Sequence, residues 1–152
     1  MRADTTVHSD RVRAALARFE GGFNCAQAVC SAFGPPLGLD ERTALRAAQA
    51  FGGGIAQRGE ICGALAGALI VLGLQYGKTE AADDQSRDRT YTKARELLDR
   101  FRARHGSCSC RALIGYDLSE PSQRQAARDA GIFTDRCPGF VRDASEILES
   151  LV

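Results

Sequence analysis

A nearly unbroken apolar run, Ile61 to Leu74, constrains this chain more than any other stretch. Its 14 residues fall short of the roughly 20 needed to span a bilayer, so the run predicts a buried core helix and no membrane insertion. The helix, about residues 61–76, is apolar nearly all round and predicts a central element wrapped by others. Its glycines 63 and 67 lie four apart beside Ala64 and Ala68. They form a smooth strip that lets a neighbour approach the backbone, a packing feature in preference to a binding one.

The punctuation on either side is that of short helices, and strand signals are nearly absent. Ser9 caps a first helix with Val12, Leu16 and Phe19 at helical spacing, stopped by Gly21-Gly22. Asn24 caps a second, carrying Ala26, Val29, Cys30 and Phe33 and ending at Gly34-Pro35-Pro36. Asp40 caps a third, Glu41 to Phe51, halted by Gly52-Gly53-Gly54. After the central helix, Asp83 and Asp84 lead into a long charged outer helix with Tyr91, Ala94, Leu97, Leu98 and Phe101 inside. A short turn spans Cys110 to Ile114, Ser119 caps a helix up to Ala130, and Pro138 opens the last one, with Phe140, Val141, Ala144, Ile147, Leu148 and Leu151. The expectation is all-α: one multi-helix bundle over residues 1–152, without linker, repeat or low-complexity tract.

A chain of 152 residues buries enough surface to fold without metals or disulfides, so core size does not force its six cysteines. Lys and Arg total 20 against 19 Asp and Glu, with 44% hydrophobic residues, which excludes a disordered tail and a strongly basic nucleic-acid binder. The first eight residues, Met1 to His8, lack the apolar stretch of a secretory signal, so the default is a cytoplasmic protein with reduced thiols. The cysteines then need a reason other than stapling.

Four of them fall at predicted helix starts: Cys25 after the Asn24 cap, Cys62 opening the central helix, Cys110 opening the short turn, and Cys137 before Pro138. Unpaired N–H groups and the helix dipole favour a thiolate there, the form that attacks disulfides and binds metals. Cys30 lies five residues beyond Cys25, off its face, and reads as an inert buried hydrophobe. Cys108 reads equally as a second ligand, a resolving thiol or a loop accident. No Cys-x-x-Cys pair occurs, which argues against a zinc ribbon and a thioredoxin-type dithiol. Any site is therefore assembled by tertiary folding, and incidental cysteines in a structural helical module are the alternative.

The segments Asn24-Cys25-Ala26-Gln27, Phe51-Gly52-Gly53-Gly54 and Arg58-Gly59-Glu60-Ile61-Cys62-Gly63-Ala64-Leu65-Ala66-Gly67 resemble the C_GCAxxG_C_C family of redox-active proteins. Cys110-Arg111-Ala112-Leu113-Ile114-Gly115 and Cys137 look like its third and fourth cysteine segments, so the resemblance covers nearly the whole chain. It implies an all-helical domain with functional cysteines Cys25, Cys62, Cys110 and Cys137, working with a redox partner that the residues do not name. The family is similar in part to the split-Soret type of cytochrome, so an iron–sulfur cluster or other metal held by those four cysteines is the alternative to thiol–disulfide chemistry. Haem is not implied, because no Cys-x-x-Cys-His occurs.

Other features carry less. Gly52 to Gly59 lacks the Gly-Lys-Ser/Thr of a phosphate loop and reads as a connection whose glycines take left-handed angles to bring Cys62 into a crowded site. Arg58 and Glu60 flank Cys62 as opposing influences on its ionisation. His105 before Gly106 reads as a dipole partner and is left out of the site. No nucleophile motif marks a hydrolase. The excess of apolar helix faces in a short chain suggests a homodimer. Cys62, helix-capped between Gly59 and Gly63, is the thiol expected to combine activation with access.

Overall fold

Capping side chains set most of the helix starts, as the sequence leads one to expect. The computed structural model describes residues 8–152; residues 1–7, most of the segment read as lacking a signal, lie outside the described residues. Helix α1 (Asp10–Glu20) begins where the Ser9 side chain accepts the Val12 N–H. Helix α2 (Cys25–Phe33) begins with a capping box, in which Asn24 accepts the Gln27 N–H and the Gln27 side chain accepts the Asn24 N–H. Asp40 caps α3 (Glu41–Ala48) through Thr43, and Asp83 caps α5 (Asp84–His105) through Ser86. The central helix is α4 (Gly63–Tyr76). It is followed beyond α5 by α6 (Cys110–Ile114), α7 (Pro121–Asp129), α8 (Ile132–Asp135) and α9 (Cys137–Leu151). The fold is all-α: among the described residues there is no strand, only an isolated antiparallel bridge between Ile61 and Ser109.

Several boundaries differ from the sequence reading for local reasons. The α4 helix starts at Gly63 because Ile61 is held in that bridge, leaving Cys62 as the cap residue. The third helix tightens to a 3-10 turn over Gln49–Phe51. Helix α7 starts at Pro121, since the Ser119 hydroxyl donates to Asp117 instead of capping. Helix α8 has no side-chain cap to mark it in the sequence; it follows a left-handed Gly131. Tyr91, assigned to the inner face of α5, is 54% exposed, and only Leu97 and Phe101 of that helix are fully buried.

The core is arranged around α4, which packs against α2, α5 and α9. Leu65, Ala68, Val71 and Leu72 are fully buried with Val29 and Phe33 of α2, Leu97 and Phe101 of α5, and Val141, Ile147 and Leu148 of α9. A smaller cluster joins Ala26 and Cys30 to Ala44 and Ala48 of α3. At its far end α4 is tied down by the Tyr76 hydroxyl donating to the Leu151 carbonyl, while Leu74 stays exposed. No helix among the described residues is long and apolar enough to cross a membrane.

The small-residue strip is a packing surface. A methyl group at Gly67 would sit 2.5 Å from the Ala26 carbonyl oxygen, and one at Gly63 would strike the Cys25 sulfur. Gly73, three turns on, has nothing within 4 Å of such a methyl. Gly67→Ala is therefore expected to destabilise by about 1–3 kcal/mol through overpacking, whereas Gly73→Ala stabilises by about 0.5–1 kcal/mol through helix propensity. Urea midpoints of the two variants check the opposite signs.

Candidate functional site

The Ile61–Ser109 bridge places two cysteine segments side by side. The Cys62 N–H donates to the Cys108 carbonyl at 2.8 Å and the Cys110 N–H to the Glu60 carbonyl at 2.6 Å. Arg111 N–H and the Ser109 hydroxyl both donate to the Gly59 carbonyl, at 3.1 Å and 3.2 Å. The start of α2 comes in over the start of α4, where Gly63 leaves room for the Cys25 sulfur. The start of α9 closes the fourth side. The result is a cavity of about 20 Å³ lined by Cys25, Cys62, Cys110 and Cys137, with Leu113, Ile114 and Phe140 as its apolar walls.

The other two cysteines point elsewhere. Cys30 is fully buried in the α2–α3 cluster. The Cys108 thiol donates to the Leu98 carbonyl of α5 at 3.4 Å, which takes it away from the cavity. All six are free thiols. His105 also stands apart: its Nε2 is 2.7 Å from Asp143 Oδ2, and its ring packs between Phe101 and Phe140, joining α5 to α9. Among the described residues no group of three His, Cys, Asp or Glu side chains is arranged to hold a metal ion.

Above the thiols opens a cleft of about 1030 Å³. Cys25, Cys110 and Cys137 line both spaces, whereas Cys62 lines the inner cavity and not the cleft. Cys62 is 5% exposed. The thiol expected to combine activation with access is thus the innermost of the four.

Ionisation also departs from the expectation of helix-promoted thiolates. Burial pushes Cys25 up from its ordinary value, although the backbone amides of Gly53, Ala26 and Ala64 pull the other way. Burial, then the Cys25 charge, drives Cys62 well above its ordinary range against the amides of Ala64 and Leu65. Burial lifts Cys110 to about 11, with Cys25 adding to it. Burial and the neighbouring Cys25 and Cys110 lift Cys137 to about 12, against a small opposing pull from Arg136. Helix starts do surround the sulfurs, but taking a charge out of water outweighs a few partial charges, and four acids in one cavity repel as they ionise. Arg58 and Glu60 are not what sets Cys62; Glu60 contributes its backbone carbonyl to the bridge instead.

The loop before Cys62 contains the feature that sequence reasoning missed. Left-handed angles were expected of its glycines, and Gly53, Gly54 and Gly59 have them, with φ of 66°, 73° and 71°. Ile55, Ala56 and Gln57 continue the conformation at φ of 64°, 51° and 64°. Five consecutive residues, Gly53 to Gln57, are therefore left-handed, a state that costs a residue with a Cβ about 1–2 kcal/mol. No local residue preference announces this, and a β-branched Ile55 argues against it. Backbone hydrogen bonds within the loop hold the turn: the Ala56 N–H donates to the Ala50 carbonyl at 2.8 Å and the Gln57 N–H to the Gly52 carbonyl at 3.1 Å. Arg124 Nη1 of α7 donates to Gln57 Oε1 at 2.7 Å. The turn directs the Gly53 amide at Cys25. At Gly54 it packs so closely that a methyl would lie 2.7 Å from Cys110 Cβ.

With four cysteines from distant segments gathered around one cavity, the comparison with known proteins falls into place. The family model described as "Putative redox-active protein (C_GCAxxG_C_C)" matches residues 23–151. This chain belongs to that family. Membership of the C_GCAxxG_C_C family supports a general redox role. No curated protein and no solved structure matches the chain.

Two outcomes follow from the strain and the ionisation. Ala56→Gly removes about 1–2 kcal/mol of left-handed cost and adds about 0.4–1 kcal/mol of unfolded-state freedom. It is therefore expected to stabilise by about 0.5–1 kcal/mol, read by denaturant titration. Because the folded thiols hold their protons above the ordinary value of 9.0, the unfolded chain releases protons first as pH rises. The stability contributed by keeping them neutral is complete below about pH 9 and is lost as pH climbs toward about 12. Urea titrations at stepped pH should show this loss, and show less of it in Cys137→Ala.

Proposed function

We propose that this protein carries out thiol–disulfide chemistry with Cys25, Cys110 and Cys137 at the cleft and Cys62 beneath them. The observation that carries the reading is the single cavity lined by four cysteines drawn from four separate segments and roofed by an open cleft. Two thiols that become a disulfide release two protons and two electrons to an acceptor disulfide, and neither the reduced nor the oxidised pair carries charge. The attack itself goes through a thiolate, so burial that keeps these thiols protonated slows the exchange near neutral pH and speeds it as pH rises. We place the protein in a reducing, cytoplasmic compartment, where reversible cysteine chemistry is the usual use of such thiols, and treat residues 1–152 as one functional unit.

Cys25 is the contact thiol in this scheme. It is partly exposed to the cleft, stands at the first position of a capped helix, and has the amides of Gly53, Ala26 and Ala64 turned to its sulfur. Cys110 and Cys137 share the cleft and serve as resolving thiols, with Cys62 as the buried member of the set. Thiol titration before and after oxidation tests this. The wild type is expected to lose and regain two thiols per chain reversibly. Cys25→Ser should abolish that change and Cys30→Ser should leave it intact. Equal loss in both variants, or stoichiometric iron or zinc in anaerobically purified protein, would overturn the reading.

A further inference from the structure

The cleft above the thiols has a composition that the thiol chemistry itself does not require. Its volume of about 1030 Å³ lies at the upper end of small-molecule sites, which run to about 1,000 Å³. Phe19, Phe23 and Phe133 line it as aromatic walls, and Phe23 is 40% exposed. Two guanidinium groups, Arg124 and Arg128, also line it. They lie four residues apart on α7 and so share one face of that helix. Among the described residues neither has a carboxylate partner: Arg124 donates to the Gln57 side-chain amide at 2.7 Å and Arg128 to that of Gln125 at 3.1 Å. Both carry further N–H donors in the planar fork that suits a carboxylate. Glu20 is the acid among the lining residues, so positive charge prevails in the cleft.

We propose that this cleft is a substrate site for small disulfides that carry carboxylates, with the apolar body of the molecule against the phenylalanines, its carboxylates on Arg124 and Arg128, and its S–S bond presented to Cys25. This rests on the thiol–disulfide reading above and names its substrate class. A protein partner would need a broad surface, whereas here the reactive sulfur lies at the base of a cleft of small-molecule size. The anionic charge follows from two guanidinium groups whose side-chain partners among the described residues are neutral amides.

The exchange balances as follows. The Cys25 thiol loses its proton and the thiolate attacks one substrate sulfur, forming a mixed disulfide and breaking the substrate S–S bond. The departing half leaves as a thiolate and takes up the proton. A second cleft thiol, Cys110 or Cys137, then attacks the Cys25 sulfur. This releases the other half, which takes up the second thiol's proton. The substrate disulfide is reduced by two electrons to two thiols, and two protein thiols are oxidised to one disulfide.

Single-turnover oxidation of the reduced full-length protein tests the assignment with three probe disulfides. These are the aromatic dicarboxylate 5,5′-dithiobis(2-nitrobenzoate), the neutral 2,2′-dipyridyl disulfide, and the cationic cystamine. Each rate is divided by the rate of the same probe with free dithiothreitol, which removes intrinsic reactivity. The expected order is dicarboxylate over neutral over cationic, with the preference shrinking as salt is raised. In Arg124→Gln/Arg128→Gln the ratio of dicarboxylate to neutral rate should fall about three- to tenfold, as suits two partly exposed ion pairs. Circular dichroism and the thiol count under denaturing conditions establish that the variant is folded and reduced. If the wild type consumes all three probes with equal normalised rates, or if the double variant keeps the wild-type ratio, the substrate class is wrong while the thiol chemistry stands. If no probe is consumed and Cys25 stays reduced, the thiol–disulfide reading itself is wrong and this proposal falls with it.

Discussion

The close approach of α2 to α4 is the contact on which the rest of the structure depends. At Gly67 the two backbones are near enough that a single methyl would meet the Ala26 carbonyl, and at Gly63 the missing side chain is replaced by the Cys25 sulfur. Glycine lowers the helix propensity of α4, yet burial of Leu65, Ala68, Val71 and Leu72 among three neighbouring helices offsets that cost many times over. The approach has a chemical consequence. It sets the Cys25 thiol over the Cys62 thiol at the joint start of two helices, so the packing that stabilises the core also assembles the site.

The same packing decides the electrostatics. Helix starts draw negative charge toward the cavity, and the amides of Ala26, Gly53, Ala64 and Leu65 do act on the sulfurs. Burial acts more strongly, since a thiolate in that cavity gives up hydration that a few N–H groups do not replace. The thiols therefore rest protonated, and Cys25, Cys110 and Cys137 reach the cleft whereas Cys62 does not. Access separates Cys25 from Cys62 more than helix position does.

Strain is the other cost carried at the site. A left-handed run through Ile55, Ala56 and Gln57 persists because the surrounding backbone hydrogen bonds and the Arg124–Gln57 contact hold it. Its return is geometric: it turns the chain so that the Gly53 amide meets Cys25, and Gly54 lets the loop lie against Cys110 before Ile61 enters its bridge with Ser109. Loops that position reactive groups on a rigid scaffold commonly concentrate such strain.

The sequence by itself determined the all-helical class, the central place of the 61–76 segment and most helix starts, because caps, apolar periodicity and glycine stops act over three or four residues. It also marked Cys25, Cys62, Cys110 and Cys137 as a set apart from Cys30, through their position at helix starts and through family resemblance. Only the tertiary structure decided that these four share one cavity, that Cys108 turns to Leu98, that Cys62 is innermost, and that burial overrides the helix dipole. It alone revealed the left-handed run and the cleft joining Arg124 and Arg128 of α7 to the thiols. Those properties depend on contacts between segments tens of residues apart and on exclusion of water. A one-dimensional pattern records local conformational preference and says nothing about which distant surface removes the solvent.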